Sequence, residues 1–139
     1  MRKYNLIFKG YWRYDNRKGI PSVSGIYLVY RCTYDPIKKM VLLKEILYIG
    51  QADNLNKRHE KHEKEDKFFN ECKENEILCY AIAEVKKDSL DIVENALIFA
   101  QKPRLNDVYK DKFNYEPSEF HLEGRCALMK YSDFSIENK

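Results

Sequence analysis

Glycine and proline are scarce in this chain, five and four of 139 residues, below the roughly 12% that average usage gives the pair. That scarcity excludes collagen-like and low-complexity architectures, and with 44% of residues hydrophobic it excludes disorder as well. Long apolar runs are lacking too. No stretch nears the roughly 18 residues that span a bilayer, and the opening MRKYNLIFKGYWRYD is broken by Lys9, Arg13 and Asp15 before a signal-peptide core could form. A cytoplasmic protein without membrane association is expected. Cys32, Cys72, Cys79 and Cys126 show neither C-x-x-C pairing nor metal-ligand spacing, which argues against a disulfide framework and a zinc site. At this length a chain buries roughly two-thirds of its unfolded surface, and no repeat or linker divides it, so 1–139 reads as one domain.

What is present is charge and tyrosine. The 25 Lys and Arg against 22 Asp and Glu leave only +3, but the balance is uneven along the chain. Residues 1–50 carry ten basic and three acidic side chains, residues 51–100 eight and twelve, and residues 101–139 seven of each. A basic first third suits a polyanion, while charges scattered over all faces would mean nothing of the kind. Eleven Tyr, seven Phe and one Trp supply amphipathic rings, for a core with a wet edge or for a binding surface.

Residues 4–8 form a possible short strand, followed by a basic, loop-like stretch from Lys9 to Gly19. Gly25 to Cys32 and Met40 to Gly50 are β-rich runs on either side of Asp35-Pro36, a turn signal, and so predict a long hairpin. After Gly50 the composition turns to helix formers, with Asp53 or Asn54 as the cap and a polar helix running to about Phe69. Residues 76–85 predict a buried strand. Asp88 or Ser89 then opens an amphipathic helix from Leu90 to about Gln101, ended by Lys102-Pro103, with Glu94 at the edge of its apolar arc. Residues 103–117 read as loop, and residues 121–131 as a closing strand or hairpin.

Two strings stand out: Gly25-Ile26-Tyr27 on the first main strand and Tyr48-Ile49-Gly50 at the end of its partner. With Arg58 and His62 on the next helix, Glu94 on a later one and Pro103-x-x-Asn106 after it, the chain resembles the GIY-YIG nuclease superfamily from about residue 25 to 107. The resemblance implies an α+β fold: a small central antiparallel sheet of three main strands, flanked by helices. It implies a DNA endonuclease using one Mg²⁺ or Mn²⁺ held by Glu94, with Tyr27 as general base. Tyr48, Arg58 and His62 are expected to hold water and stabilise charge, Gly25 and Gly50 to shape the strands, and Asn106 to fasten the loop after the helix.

Elementary chemistry gives these positions work. Phosphodiester hydrolysis needs a deprotonated water, stabilised phosphoryl oxygens and help for the leaving alkoxide. A lone carboxylate suits a magnesium ion that keeps several waters, and Arg58 offers a permanently charged fork. On a continuous helix, Arg58 and His62 would share one face, whereas His59 has no role and reads as surface. A phenol serves as base only where a neighbouring cation favours phenolate.

The hairpin is about twice as long as in compact members of the superfamily, so Lys38 and Lys39 at its tip are possible DNA contacts. Gln51, where many members carry Lys or Arg, is another. A palindromic target would call for a homodimer. A non-catalytic nucleic-acid-binding or protein-interaction module on the same fold is the alternative, and a small-molecule enzyme is a third reading.

Overall fold

The computed structural model describes residues 1–137. The predicted hairpin is its centre: β2 (Gly25–Asp35) pairs antiparallel with β3 (Met40–Ala52), which puts Tyr27 opposite Gly50 and Val29 opposite Tyr48. Asp35 closes the turn by accepting from the amides of Ile37 and Lys38 at 2.9 and 3.1 Å. Strand β4 (Ile77–Glu84) runs antiparallel along the other edge of β2, with six consecutive buried residues.

The sheet does not stop at these three strands, which corrects the expected architecture. Strand β1 (Arg2–Arg13) pairs antiparallel with β4, β5 (Ser118–Gly124) pairs parallel with β1, and β6 (Asp133–Ile136) pairs antiparallel with β5. The result is a six-stranded, mixed, curled sheet in the order β3-β2-β4-β1-β5-β6. Of the stretch Lys9 to Gly19 expected as loop, Lys9 to Arg13 continues as strand because it pairs with Cys79 to Ile82 of β4, while Tyr14–Gly19 forms a short 3-10 turn; a register shift between Gly10 and Trp12 interrupts that pairing. Such bulges increase local twist, in keeping with the curl.

Helices are few and short, a second departure from a sheet flanked by helices. The single helix expected to reach Phe69 is two pieces, α1 (Leu55–Glu60) and α2 (Glu65–Asn70), because Lys61 leaves helical space with φ −152° and ψ 98°. A polar, charge-laced segment offers no apolar stripe to hold a continuous helix against a core. Neither piece is long enough to be stable alone, and α1 is pinned from outside. Asn54 accepts from the Lys57 amide, Asn56 donates to the carbonyls of Lys18 and Ile20, and Arg17 donates to the carbonyl of His59. Among the described residues only α3 (Leu90–Gln101) is a full helix, ended by Lys102 in left-handed geometry before Pro103.

The sheet buries both faces. Helix α3 covers one, packing Val93, Ala96 and Leu97 on Ile26, Leu28, Ala81 and Ala83. Helices α1 and α2 cover part of the other, where Leu55 and Phe68 meet Tyr27, Val29, Tyr80 and Ile82. Buried amides fasten the irregular C-terminal third: Asn95 donates to the carbonyl of Lys112 and accepts from the amide of Asn114, while Gln101 bonds Lys130 and Tyr131. Among the described residues no helix is long and apolar enough to cross a membrane.

Candidate functional site

The two aromatic-glycine strings meet at the edge of the sheet, and their glycines explain how. A Cβ on Gly50 would fall 2.3 Å from the Tyr27 phenol oxygen, so the Tyr27 ring lies directly over Gly50 of the neighbouring strand. A Cβ on Gly25 would strike the Ala83 carbonyl at 2.1 Å, so β2 and β4 approach there only because the residue is glycine.

Tyr27 is 1% exposed and packed edge-on against two imidazoles, with ring centroids 4.7 Å from His59 and 5.6 Å from His62. Its Oη lies 2.6 Å from His62 Nε2. The direction of that bond follows from the other ring nitrogen. The Lys64 backbone amide, which can only donate, bonds His62 Nδ1 at 3.0 Å, and burial next to Arg58 pushes His62 down to about 3. A neutral imidazole with Nδ1 accepting carries its proton on Nε2. His62 therefore donates to Tyr27, an arrangement that favours phenolate and disqualifies His62 as acceptor of the phenol proton in this state.

Burial pushes the Tyr27 phenol strongly upward, while Arg58 pulls it back. Arg58, on α1, has a side chain 30% exposed and pairs with Glu63 at 3.4 Å. Tyr48 is only half-buried, is raised by burial and then by the Glu94 charge, and carries the Lys64 ammonium 5.0 Å above its ring. The break between α1 and α2 means that Arg58 and His62 do not share a helical face. They come together because the extended residue Lys61 turns His62 back into the aromatic cluster.

Glu94 reaches the same place from α3. Burial raises its carboxyl, and its charge is felt by both Tyr27 and Tyr48. Gln51 Nε2 donates to Glu94 at 3.0 Å and to Asp91 at 2.8 Å, spending both amide hydrogens on carboxylates. Gln51 thus stands as a brace between α3 and β3. Asn106 pairs with the Ile49 backbone as another strand would, accepting from its N–H at 3.0 Å and donating to its carbonyl at 2.8 Å. Lys38 and Lys39 lie elsewhere, exposed at the hairpin tip.

Two groups went unread in the sequence. His59, expected on the surface, is 3% exposed: its Nδ1 donates to the Leu55 carbonyl at 2.8 Å, and its Nε2 has no hydrogen-bond partner. Burial holds it down to about 4, so it stays neutral and props the Tyr27 ring. The second is Asp91, tied to Glu94 through Gln51; the three-residue spacing on an amphipathic helix was its only signal.

Among the described residues no group of three or more His, Cys, Asp and Glu gathers as a metal cage. The donors at this site are instead one half-buried carboxylate with a second one turn away, both hard oxygen ligands. That set fits magnesium or manganese, which take one or two carboxylates and fill the remaining positions with water and phosphate oxygens. Comparison with family models, with curated proteins and with solved structures finds no match to this chain.

Proposed function

We propose that the protein is a divalent-metal-dependent endonuclease that hydrolyses phosphodiester bonds in DNA, acting in the cytoplasm, as the resemblance to GIY-YIG nucleases in its site residues implies. The observation that carries this reading is the environment of one phenol: Tyr27 receives an N–H bond from His62 and lies beside Arg58. The Glu94 charge is felt there only weakly and acts against phenolate. A structural tyrosine needs one partner for its hydroxyl, not a donor and a cation together.

The roles follow from the chemistry of each side chain. Tyr27, which burial keeps protonated at rest, first gives its own proton to solvent as the site opens, and the resulting phenolate, stabilised by the His62 N–H and Arg58, then accepts the proton of the attacking water. Arg58 also meets the phosphoryl oxygens as charge develops on them. Tyr48, accessible where Tyr27 is not, orients the water. Glu94, braced by Gln51, would hold the Mg²⁺ or Mn²⁺, with Asp91 behind it. Bound there, that ion would supply Lewis-acid stabilisation of the phosphoryl group. His59 and Asn106 are positioning residues.

The test is cleavage of supercoiled plasmid with Mg²⁺ or Mn²⁺. Glu94→Ala should lose activity by about 10²- to 10³-fold, in the range of a missing electrostatic group; undiminished cutting by the variant would overturn the assignment. One observation favours a second reading, a nucleic-acid-binding module without catalysis. Tyr27 is almost wholly closed to solvent, so a site that never opens would bind and not cut. Metal-independent, salt-dependent DNA binding without cleavage of any substrate would select it.

A further inference from the structure

Away from the phenol cluster, the elongated hairpin borders two concavities that share a sign of charge. One, about 460 Å³, lies at its tip and is lined by Arg13, Tyr34, Lys39 and Arg125 with no acidic residue in its wall. The other, about 390 Å³, lies further along β3 and holds Lys44, Lys102, Arg104 and Lys130. Its single carboxylate, Glu45, is already paired with Arg31 and Arg104 at 3.0 and 2.9 Å. The segment that separates the two is fixed: the Ala127 carbonyl accepts from the Tyr30 hydroxyl at 2.7 Å, and the Ala127 amide donates to the Tyr11 hydroxyl at 3.1 Å. Arg125 and Lys130, from this one segment, thus face different hollows beside the same strand.

We propose that β3 and these two hollows form a track for the phosphate backbone of duplex DNA flanking the scissile bond, an inference that rests on the nuclease reading for its other end. Three observations support it. Among the described residues no carboxylate pairs with Arg13, Lys39, Lys44, Lys102, Arg125 or Lys130; Arg104 in the second hollow is held by Glu45 and Glu71, and other surface lysines are unpaired as well, so what sets the six apart is that they gather in two concave walls. Unneutralised cations in a concave wall are what a polyanion displaces counterions onto.

The aromatic rings there are already engaged. The Arg13 guanidinium covers the Tyr34 ring at 3.9 Å, and Tyr11 packs edge-on against Tyr30. Stacking platforms for unpaired bases are therefore lacking, and the contacts left are charges suited to a backbone of any sequence. Length agrees as well. From Gly50 to Lys39 the strand spans roughly 36 Å, about one turn of duplex DNA. The hairpin would then act as a ruler of about ten base pairs on one side of the cut, a length unexplained by the phenol cluster alone.

The experiment measures binding of a fluorescent 30-base-pair duplex in EDTA across a salt series, so that no cleavage is involved. Lys39→Ala with Arg125→Ala, and separately Lys44→Ala with Lys130→Ala, should each weaken binding about tenfold. Each pair should also reduce the slope of log affinity against log salt by about 2, since each phosphate contact contributes about 0.9. Lys86→Ala with Lys87→Ala, two exposed lysines outside both hollows, should change neither. Trimming the duplex to fewer than about ten base pairs on one side of the cleavage site should erase the difference between wild type and the track variants.

Track variants that match wild type in affinity and slope would overturn the proposal, as would losses no greater than in the Lys86/Lys87 control or losses confined to single strands. Failure of the nuclease reading looks different: wild type cuts nothing, yet track variants still lose duplex affinity. If wild type cuts and the track variants cut a long duplex with unchanged KM, the nuclease stands and the track falls.

Discussion

The two faces of the sheet solve the problem of burial in different ways. On the α3 face, Ile26, Leu28, Ala81 and Ala83 meet Val93, Ala96 and Leu97, aliphatic side chains whose burial has no polar cost. On the α1–α2 face, Tyr27 and Tyr80 meet His59 and His62, so phenols and imidazoles are buried beneath two six-residue helices. Each imidazole there is kept neutral, and one ring nitrogen of His59 is left without a partner. A cluster maintained only for stability would be better filled with Leu and Phe. The contrast separates an aliphatic face that holds the fold from a face that buries polar groups at some expense to it, and substitutions on each should fail differently.

The largest expected divergence comes from pairing Tyr27→Phe with Leu97→Ala. Tyr27→Phe should slow cleavage by about 10² to 10⁴, the range for loss of a general base, with stability changed by less than about 2 kcal/mol for the hydrogen bond removed. Leu97→Ala should cost about 2–5 kcal/mol in urea unfolding and leave the rate per folded molecule intact. If Tyr48→Phe proves more damaging to the rate than Tyr27→Phe, the accessible phenol is the base and the buried one its support.

Acid should attack one face before the other. His59 is held down to about 4 in the folded chain against about 6.5 unfolded, so the unfolded state takes up its proton first as pH falls. Stability is full above pH 6.5 and is lost between about 6.5 and 4, by about 3 kcal/mol from His59. His59→Phe should flatten that decline in denaturant midpoints measured from pH 7.5 to 4; a slope unchanged by the substitution would mean that the imidazole is not buried as described. The smallest effect concerns the helix that carries Arg58. Asn54→Ala removes the bond to the Lys57 amide and should cost about 1 kcal/mol, detectable as faster amide exchange confined to α1.

Legibility was greatest where one local pattern sufficed. The hairpin, the strand after the polar segment and α3 were readable from alternation, turn residues and helical period, and the cap of α1 as either Asp53 or Asn54, of which the structure selects Asn54. Two strings and the spacing of Arg58, His62, Glu94 and Asn106 singled out the candidate residues, but not how they sit relative to one another. Arg58 and His62 were expected on one helical face and instead meet through a helix break. His59 read as surface because its immediate neighbours are charged, yet it turns inward. Gln51 read as a free contact, although its amide is spent on Asp91 and Glu94, forty and forty-three residues away.

By itself the sequence determined the local periods, the glycines that let Tyr27 lie over Gly50 and β2 lie against β4, and the scarcity of apolar surface on the 55–70 segment. Tertiary structure alone decided that β1 extends past Phe8 to pair with both β4 and β5, that the sheet grows from three strands to six, and that the 55–70 helix breaks to bring His62 under Tyr27. The physical reason is the same in each case. Strand pairing and burial are settled by partners far along the chain, β1 with β5 more than a hundred residues apart, and no local propensity records which distant edge or pocket a segment will meet.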